Sequence, residues 1–395
     1  MNIAHNATEN KKNNEFYLSL FVIATLAYNL VTETVNILVN LVLPNTPLDT
    51  AICLAVYLFL LYKALPALLP RIKLADILVL MVSLILFGIA MLNDGTAQYS
   101  MTLLPTFIIQ MYPLYILGRT VSDIESIEKI FYKSLPVIVI VAALNTYYNV
   151  FVADSTQITD NMSFAYYILP FSLMALFALL NKFSLRNVSL FLIIFVAQVL
   201  SGTRGPLLCL AIAAVLYILL GNMNYRIKLL FVVAMGLIAV YFLSDLFVEN
   251  MMEISAWFKE QGISNRILDM LLEEDIANST GRNNLNEAII AAIEESPLFG
   301  KGFLGDRAIL NGTYVHNIFF ELVCHFGIVI GVIAFCAIVI TSLRMLFKNK
   351  QHMAWAVMLV SAGLIKLFLS SSYVQEQMFF LMIGFCFNSY SKKVQ

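Results

Sequence analysis

Long apolar runs separated by short polar turns recur along the chain from Phe16 to Asn388. Most runs contain about 17–25 residues, the length that a helix needs to cross the hydrocarbon core of a bilayer. The pattern therefore predicts an all-α, polytopic membrane protein with a single transmembrane domain over residues 1–395. The twelve predicted spans cover residues 16–42, 48–69, 74–92, 100–118, 135–153, 162–181, 187–201, 205–221, 227–247, 314–341, 353–373 and 376–390.

The composition supports a membrane-embedded chain. Of the 395 residues, 60% are apolar and 12% are charged, and the mean hydropathy is +0.83, whereas soluble domains carry about 25% charged residues. The first apolar run follows Lys11 and Lys12 and is too long for the hydrophobic region of a signal peptide, so we expect it to remain as the first span. All five cysteines lie inside apolar runs without disulfide or metal spacing, which favours a packing role.

The basic residues are distributed unevenly between the two sides of the predicted bundle. Seventeen of the 24 lysines and arginines lie at the termini and in one set of turns, whereas the short turns on the opposite side contain one. Because positive charge marks the cytoplasmic side and long loops are largely exempt, both termini are predicted to be cytoplasmic. The seventeen residues are Lys11, Lys12, Lys63, Arg71, Lys73, Arg119, Lys129, Lys133, Lys182, Arg186, Arg226, Lys228, Arg344, Lys348, Lys350, Lys392 and Lys393.

Residues 248–313 form the one sizeable polar loop, which this topology places on the outer face between spans nine and ten. Within it, residues 249–274 mix apolar and charged positions at helical spacing. This predicts two short helices, broken near Gly262, that lie on the membrane surface. A further helix is predicted from about residue 283 to residue 295, with Asn283 and Asn284 at its start and Pro297 after its end.

Arg204 is the one basic residue in the short turns of the outer face. It lies in the polar turn 201–206 between two apolar runs. An arginine at the centre of a span costs about 2.5–3.5 kcal/mol, so one that borders the hydrocarbon needs a partner. We favour an anion as that partner. The alternative is that the side chain reaches the interface without a ligand, as long basic side chains do near helix ends.

Arg282 and His316 also favour a reaction site on the outer face. Arg282 begins the predicted loop helix, where free backbone N–H groups and a guanidinium together suit a phosphate or pyrophosphate. His316 lies at the mouth of the tenth span, where a histidine can accept a proton from a hydroxyl at neutral pH. Alone, Arg282 also fits a solvated surface charge, and His316 an interfacial hydrogen-bonding residue. His325, nine residues further on, is interpreted as a buried packing residue.

Three other features are assigned no catalytic role. Gly300, Gly302 and Gly305 have the spacing of a dinucleotide fingerprint, but no strand or βαβ unit surrounds them, so a tight turn is predicted. The acidic residues of the loop have no cysteine or histidine beside them and are expected to bind no metal. Glu33 and Lys366 fall inside predicted spans, and the sequence leaves open whether each is functional or structural.

Four short motifs on the outer face resemble those of the O-antigen polymerase and O-antigen ligase superfamily. They are SGTRG at 201–205, GRN at 281–283, PLFGKGF at 297–303, and YVHN at 314–317 followed by GI and a further glycine. Their order, and the long loop between spans nine and ten, carry the resemblance, which covers roughly residues 185–335. It implies a GT-C-like architecture and an inverting glycosyltransferase that uses no metal, cofactor or nucleotide sugar.

The donor implied by the resemblance is a glycan on undecaprenyl pyrophosphate at the periplasmic face of the bacterial inner membrane. Arg204 and Arg282 match the arginines expected at the donor pyrophosphate, and His316 matches the histidine expected to activate the acceptor hydroxyl. The predicted substrate-binding set also contains Lys301, Arg307, Tyr314 and Asn317.

Polymerisation of lipid-linked repeat units is the activity that we favour. The expected partners are the lipid-linked glycans, the bilayer, a chain-length regulator and a flippase, but no nucleic acid. One alternative is a ligase that moves the finished glycan onto lipid A–core. Another is a transporter such as a lipid-linked oligosaccharide flippase, although transporters usually place charges near the midplane of internally repeated helices. A structural or sensor membrane protein is a third alternative.

Overall fold

The structure is a computed structural model that describes residues 2–42, 48–121, 123–152, 161–201, 203–221, 252–254, 256–257, 260 and 282–388. Within these ranges all regular secondary structure is helical and no strand occurs. The predicted all-α class is therefore confirmed. The predicted ninth span lies outside the described residues, and so does most of the segment predicted to form two surface helices.

The helices are numbered here in chain order through the described residues. They are α1 (Asn2–Val42), α2 (Leu48–Leu68), α3 (Leu74–Met91), α4 (Ala97–Thr106), α5 (Tyr112–Thr120), α6 (Ile124–Tyr147), α7 (Asn161–Asn181), α8 (Leu185–Leu200), α9 (Arg204–Leu220), α10 (Arg282–Glu295), α11 (Gly305–Ile309), α12 (Ile318–Lys348), α13 (Met353–Val360), α14 (Lys366–Leu369) and α15 (Gln377–Cys386).

Seven helical segments of the described chain are long and apolar enough to cross a membrane. They coincide with predicted spans one to four, six, ten and eleven. Three shorter apolar helices coincide with spans seven, eight and twelve, and the fifth falls in the second half of α6 and the π-helical turn that follows. The chain is thus a polytopic helical membrane protein, while the total of twelve spans stays a prediction.

Two compact units account for the contacts within the chain. The first comprises Met1–Leu26, Leu54–Phe131 and Thr280–Gln395, and the second comprises Ala27–Cys53 and Tyr132–Ser279. In the first unit α5 and α15 cross at two glycines, Gly118 and Gly384. A Cβ on either glycine would collide with the backbone of the other helix. Small residues at such crossings let membrane helices approach closely and gain van der Waals contact.

The second unit contains the helices that flank the arginine turn. Here α7 packs against α8 and α9, and the rings of Phe177 and Tyr217 stack with centroids 4.4 Å apart. At the end of α8, the buried Gln198 amide donates a hydrogen bond of 3.4 Å to the carbonyl oxygen of Ala165. The Tyr166 hydroxyl lies against Gly205 at the start of α9, where a side chain on residue 205 would collide with it.

Helix α12 is broken at Gly327, which has φ 78° and ψ 170°. A side chain is strongly disfavoured in this conformation, and a Cβ here would also collide with the carbonyl of Leu298. After the break the chain folds back on itself, since a Cβ on Gly331 would lie 2.7 Å from the Cα of Val323. The tenth span is therefore not the continuous helix over 314–341 that the sequence predicted: it begins at Ile318, ends at Lys348 and is interrupted.

Candidate active site

Residues of the loop 297–303 form hydrogen bonds with backbone groups on both sides of the break in α12. The amide of Lys301 donates to the carbonyl of Cys324 at 2.7 Å, and the amide of Ile328 donates to the carbonyl of Pro297 at 2.8 Å. Backbone groups that lose their partners at a helix break need others, because an unpaired buried N–H or C=O costs about as much as a lost hydrogen bond. The PLFGKGF motif and the glycines after YVHN thus form one structural feature.

The glycines of this loop provide a turn, as predicted. Gly300 and Gly302 have positive φ angles of 69° and 84°, a conformation that disfavours side chains. Gly300 also lies against the carbonyl of Cys324, where a Cβ would collide. Gly300 and Gly302, whose spacing resembles a dinucleotide fingerprint, are therefore glycines because the turn requires positive φ angles.

Helix α10 carries Arg282 as its first residue, close to the predicted boundary at residue 283. Its buried face packs on the start of α12, where Ile289, Val315 and Cys324 form a core cluster with Leu310. Leu285, three residues after Arg282, packs against the same cluster. The N-terminal half of α10 is therefore held beside the segment that carries His316. The side chain of Arg282 lies outside the described part of the structure.

Arg204 is the first residue of α9 and follows Thr203 in extended conformation. Both predicted pyrophosphate arginines therefore begin a helix, where backbone N–H groups and the helix dipole favour an anion. This agreement concerns the backbone, because the side chain of Arg204 is outside the described part of the chain.

Tyr314, Val315, His316 and Asn317 form a short non-helical segment ahead of α12. Val315 is buried, whereas Tyr314 and His316 on either side are half-buried. The rings of Tyr314 and His316 pack edge to face with centroids 4.6 Å apart. Asn317 caps α12, since its side-chain oxygen accepts from the amide of Phe319 at 2.9 Å.

Lys301, predicted to bind substrate, forms an ion pair of 2.6 Å with Glu295 at the end of α10. The hydrogen bond and charge of Lys301 lower the pKa of the Glu295 carboxyl. Since the carboxylate is exposed, such a pair contributes little stability. An anionic substrate can therefore replace Glu295 as the partner of this amine.

A buried ion network that the sequence analysis did not predict surrounds Arg307. Its Nη1 donates to Asp306 Oδ2 at 2.6 Å and to Glu321 Oε1 at 3.1 Å, and its Nη2 donates to the Ser372 hydroxyl. Ser372 in turn donates to Glu321, whose other oxygen accepts from the amide of Tyr373 at 3.1 Å. These contacts satisfy both carboxylate oxygens of Glu321.

His325 belongs to this network, which corrects its interpretation as a packing residue. Its ring is buried, with Nε2 2.7 Å from Asp306 Oδ1 and Nδ1 2.8 Å from the Tyr373 hydroxyl. Glu321 and His325 are four residues apart and so lie on one face of the first part of α12. Two polar residues at this spacing in an apolar helix are visible in the sequence and indicate a shared buried polar contact.

The charges in the network shift the pKa values of its groups outside the spans. Burial alone raises the pKa of Asp306, but the opposing charges and hydrogen bonds of His325 and Arg307 lower it below its usual range. Burial lowers the pKa of Arg307, but Glu321 and Asp306 raise it overall. Asp306 and Arg307 are therefore ionised at neutral pH.

The side chains of Asp306, Glu321 and His325 are of the types that bind metal ions. One ligand atom from each lies within 4.8 Å of the other two. However, Nη1 of Arg307 contacts both carboxylates, so the guanidinium supplies the positive charge between them. The cluster is thus an ion network in which Arg307 bridges the carboxylates of Asp306 and Glu321.

Lys366, whose role the sequence left open, forms a buried ion pair with Glu376. Glu376 also accepts from the Ser371 hydroxyl at 2.9 Å. Ser371 has a positive φ of 95°, a strained conformation for a serine, so the turn 370–373 is held by its polar contacts. Glu33 lies half-buried in α1.

Residues 189–336 match a family model described as O-antigen ligase. Over this segment the chain is similar to the O-antigen polymerase and ligase superfamily. The resemblance carried by the four motifs is therefore confirmed, and the matched segment includes all seven predicted site residues. The O-antigen ligase family consists of glycosyl-transferring enzymes, whose substrates are lipid-linked glycans. No curated protein matches the chain. Ser372, Tyr373, Lys366 and Glu376 lie beyond the matched segment.

Proposed function

We propose that the protein polymerises polysaccharide repeat units carried on undecaprenyl pyrophosphate, at the periplasmic face of the bacterial inner membrane. The observation that carries this proposal is the O-antigen ligase family match over residues 189–336, which contains Arg204, Arg282 and His316 in the expected order. The proposed topology has both termini in the cytoplasm and residues 248–313 in the periplasm, as the distribution of basic residues indicates.

The proposed reaction is a single displacement at the anomeric carbon of the donor. The acceptor hydroxyl forms a new C–O bond while the bond to the pyrophosphate breaks, and the electron pair leaves on undecaprenyl pyrophosphate. His316 accepts the hydroxyl proton. Arg204 and Arg282 stabilise the charge that grows on the leaving group, which positioned cations do most effectively in a water-poor site. Because two guanidinium groups supply this charge, the proposal requires no divalent metal.

Lys301 is the further substrate contact that the geometry supports best, since the Glu295 carboxylate paired with its ammonium group is exposed. Arg307, Tyr314 and Asn317 are each engaged within the protein, by the ion network, by ring contacts and by the helix cap respectively. Contact of these three with the glycan stays a prediction.

An apolar groove in the second unit has a lining that suits a segment of an isoprenoid chain. It has a volume of about 320 Å³ and lies between α6 and α8. It is lined by Ala143, Thr146, Tyr147, Leu192, Ile193, Val196, Ala197 and Leu200. Leu200 is the last residue of α8, and four residues later Arg204 begins α9. We propose that an isoprenoid chain in this groove places its pyrophosphate beside the arginine turn.

Narrowing the groove should weaken donor binding. Ala143→Phe adds a ring to the lining, and we expect KM for the lipid-linked donor to rise about ten-fold, which corresponds to about 1.4 kcal/mol. Leu144→Phe is the matched control, because Leu144 is 53% exposed and does not line the groove. The measurement is transfer by the purified protein in nanodiscs. Equal KM values for the two variants would place the lipid chain elsewhere.

Alanine at Arg204 or Arg282 tests the proposed function. Loss of one group that stabilises a developing negative charge typically lowers kcat about 10²–10³-fold, so the long polysaccharide should disappear in a strain that lacks the chromosomal gene. Arg344→Ala is the control, because Arg344 is exposed and lies on the predicted cytoplasmic side. Surface polysaccharide is compared on gels at matched protein abundance.

The products distinguish the alternatives. Core that bears a single repeat unit indicates a polymerase, whereas bare core with long polymer on undecaprenyl indicates a ligase. Repeat units trapped on the cytoplasmic leaflet indicate a flippase. An unchanged ladder for both arginine variants contradicts the catalytic assignment.

A further inference from the structure

The segment that carries His316 is anchored on one side by Val315. Val315 is fully buried in the cluster formed with Ile289, Leu310 and Cys324. Neighbouring side chains in an extended segment point to opposite sides, and the rings of Tyr314 and His316 are in fact in contact. The imidazole of His316 is therefore packed against a tyrosine whose own position is determined by other residues.

The position of the Tyr314 ring is determined by its contact with Arg307. The guanidinium carbon of Arg307 lies 5.4 Å from the ring centroid, a distance at which a cation is attracted to an aromatic face. Ser370 lies beside the Tyr314 hydroxyl. Burial, and then the nearby Glu376, raise the pKa of Tyr314 by more than Ser370 lowers it, so this hydroxyl is protonated at neutral pH.

Arg307 is held more firmly still. The side chain is buried, with 2% of its surface exposed, and its contacts with Asp306, Glu321 and Ser372 engage both terminal nitrogens. Asp306 also accepts a 3.4 Å hydrogen bond from the amide of Val315. The same carboxylate thus fixes Arg307 and the backbone next to His316.

We propose that Tyr314, held by Arg307, is a positioning residue that fixes the imidazole of His316 for proton transfer. The inference rests on the proposed function, in which His316 is the proton acceptor. It differs from the prediction that Arg307 and Tyr314 bind substrate, because here they act through His316. A group that removes a proton must be placed to within a fraction of an ångström, and a shift of 1 Å can lower a rate about 100-fold.

Kinetics of the full-length protein in nanodiscs test this role, with undecaprenyl-linked repeat units purified from the deletion strain as substrate. Tyr314→Leu removes the ring, and we expect kcat to fall about 10- to 100-fold while KM stays within about two-fold. Tyr314→Phe keeps the ring contacts with Arg307 and His316 and should recover most of that loss. Tyr62→Leu is the matched control, because Tyr62 is 67% exposed and distant in sequence.

A double-variant cycle separates positioning from substrate contact. If Tyr314 acts through His316, the variant with both Tyr314→Leu and His316→Ala is no slower than His316→Ala alone. A multiplied loss, or a raised KM with normal kcat, shows a substrate contact and overturns the inference while the proposed function stands. Tyr314→Leu at the wild-type rate overturns it too. If His316→Ala retains full activity, both the proton-acceptor assignment and the inference fail.

Discussion

Replacement of His316 by alanine is expected to lower the turnover number for glycan transfer about 10²–10⁴-fold, the usual contribution of a general base. The leaving group would still be stabilised by the proposed arginines, so residual transfer should remain above the uncatalysed rate. Substrate affinity should change little, because the imidazole acts on the reacting proton in the transition state. The test is single-turnover transfer between lipid-linked repeat units in nanodiscs.

The pH dependence provides a second measurement on the same variant. Wild-type activity should decline towards acid pH, because a protonated imidazole cannot accept the hydroxyl proton. This acidic limb should be absent from the residual activity of His316→Ala. His352→Gln is the control, since His352 lies at the start of α13 and contacts Glu128. Activity above a tenth of wild type, with the acidic limb intact, would assign proton transfer to another group.

Replacement of Arg307 by methionine is expected to destabilise the fold by about 3–5 kcal/mol, the usual cost of removing one partner from a buried ion pair. Methionine roughly fills the volume of the side chain but leaves the carboxylates of Asp306 and Glu321 without their shared cation. The midpoint of thermal unfolding should fall by about 5–10 °C. Arg344→Met, at an exposed position, should change it little.

Acidic pH should reduce the difference in stability between the wild type and Arg307→Met. Arg307 is among the groups that lower the pKa of Asp306, so the pKa of that carboxyl rises in the variant. A carboxyl whose pKa is lowered in the folded state stabilises the fold above its unfolded value, and that stability is lost as the pH falls. Wild type therefore loses more stability than the variant on acidification. A pH-independent difference would attribute the loss to packing rather than to charge.

Removing both carboxylates provides a further check on the same network. Asp306→Asn and Glu321→Gln, combined with Arg307→Met, leave no uncompensated charge, and buried ion networks replaced as a whole often cost little. The triple variant should therefore unfold at a higher temperature than Arg307→Met. A lower unfolding temperature would show that the carboxylates stabilise the fold without Arg307.

The helices were the most predictable part of this protein, because burial in a bilayer requires long apolar runs that are visible in the sequence alone. The helix predicted from about residue 283 was also recognisable, because its polar start and the proline after its end are local signals. It begins at Arg282 and ends at Glu295. Arg282 could be placed at a helix start for the same reason, whereas Arg204 was assigned to a turn and is in fact the first residue of α9.

The ion network could not be predicted, because its members are brought together only by the fold. Arg307 and Ser372 are 65 positions apart, and Ser372 lies in a turn that carries no charge of its own. The spacing of Glu321 and His325 in the sequence suggests that they lie on one helix face, but nothing in the sequence identifies the residues that they contact. The break at Gly327 was equally hidden, because a glycine in an apolar run is compatible with an unbroken helix. Only the fold shows Lys301 and Pro297 hydrogen-bonded to Cys324 and Ile328 on either side of it.

The break at Gly327 divides α12 into a short part before the glycine and a long part after it. The part that follows, from Ile328 to Lys348, is about 31 Å long at 1.5 Å per residue, which alone matches a hydrocarbon core of about 30 Å. The nine residues before the glycine, among them Glu321 and His325, are therefore surplus to the crossing. Because the helix is interrupted at Gly327, Glu321 and His325 face the ion network without having to follow the helical register of the membrane span, while the close approach of Gly331 to Val323 keeps the two parts of α12 packed together.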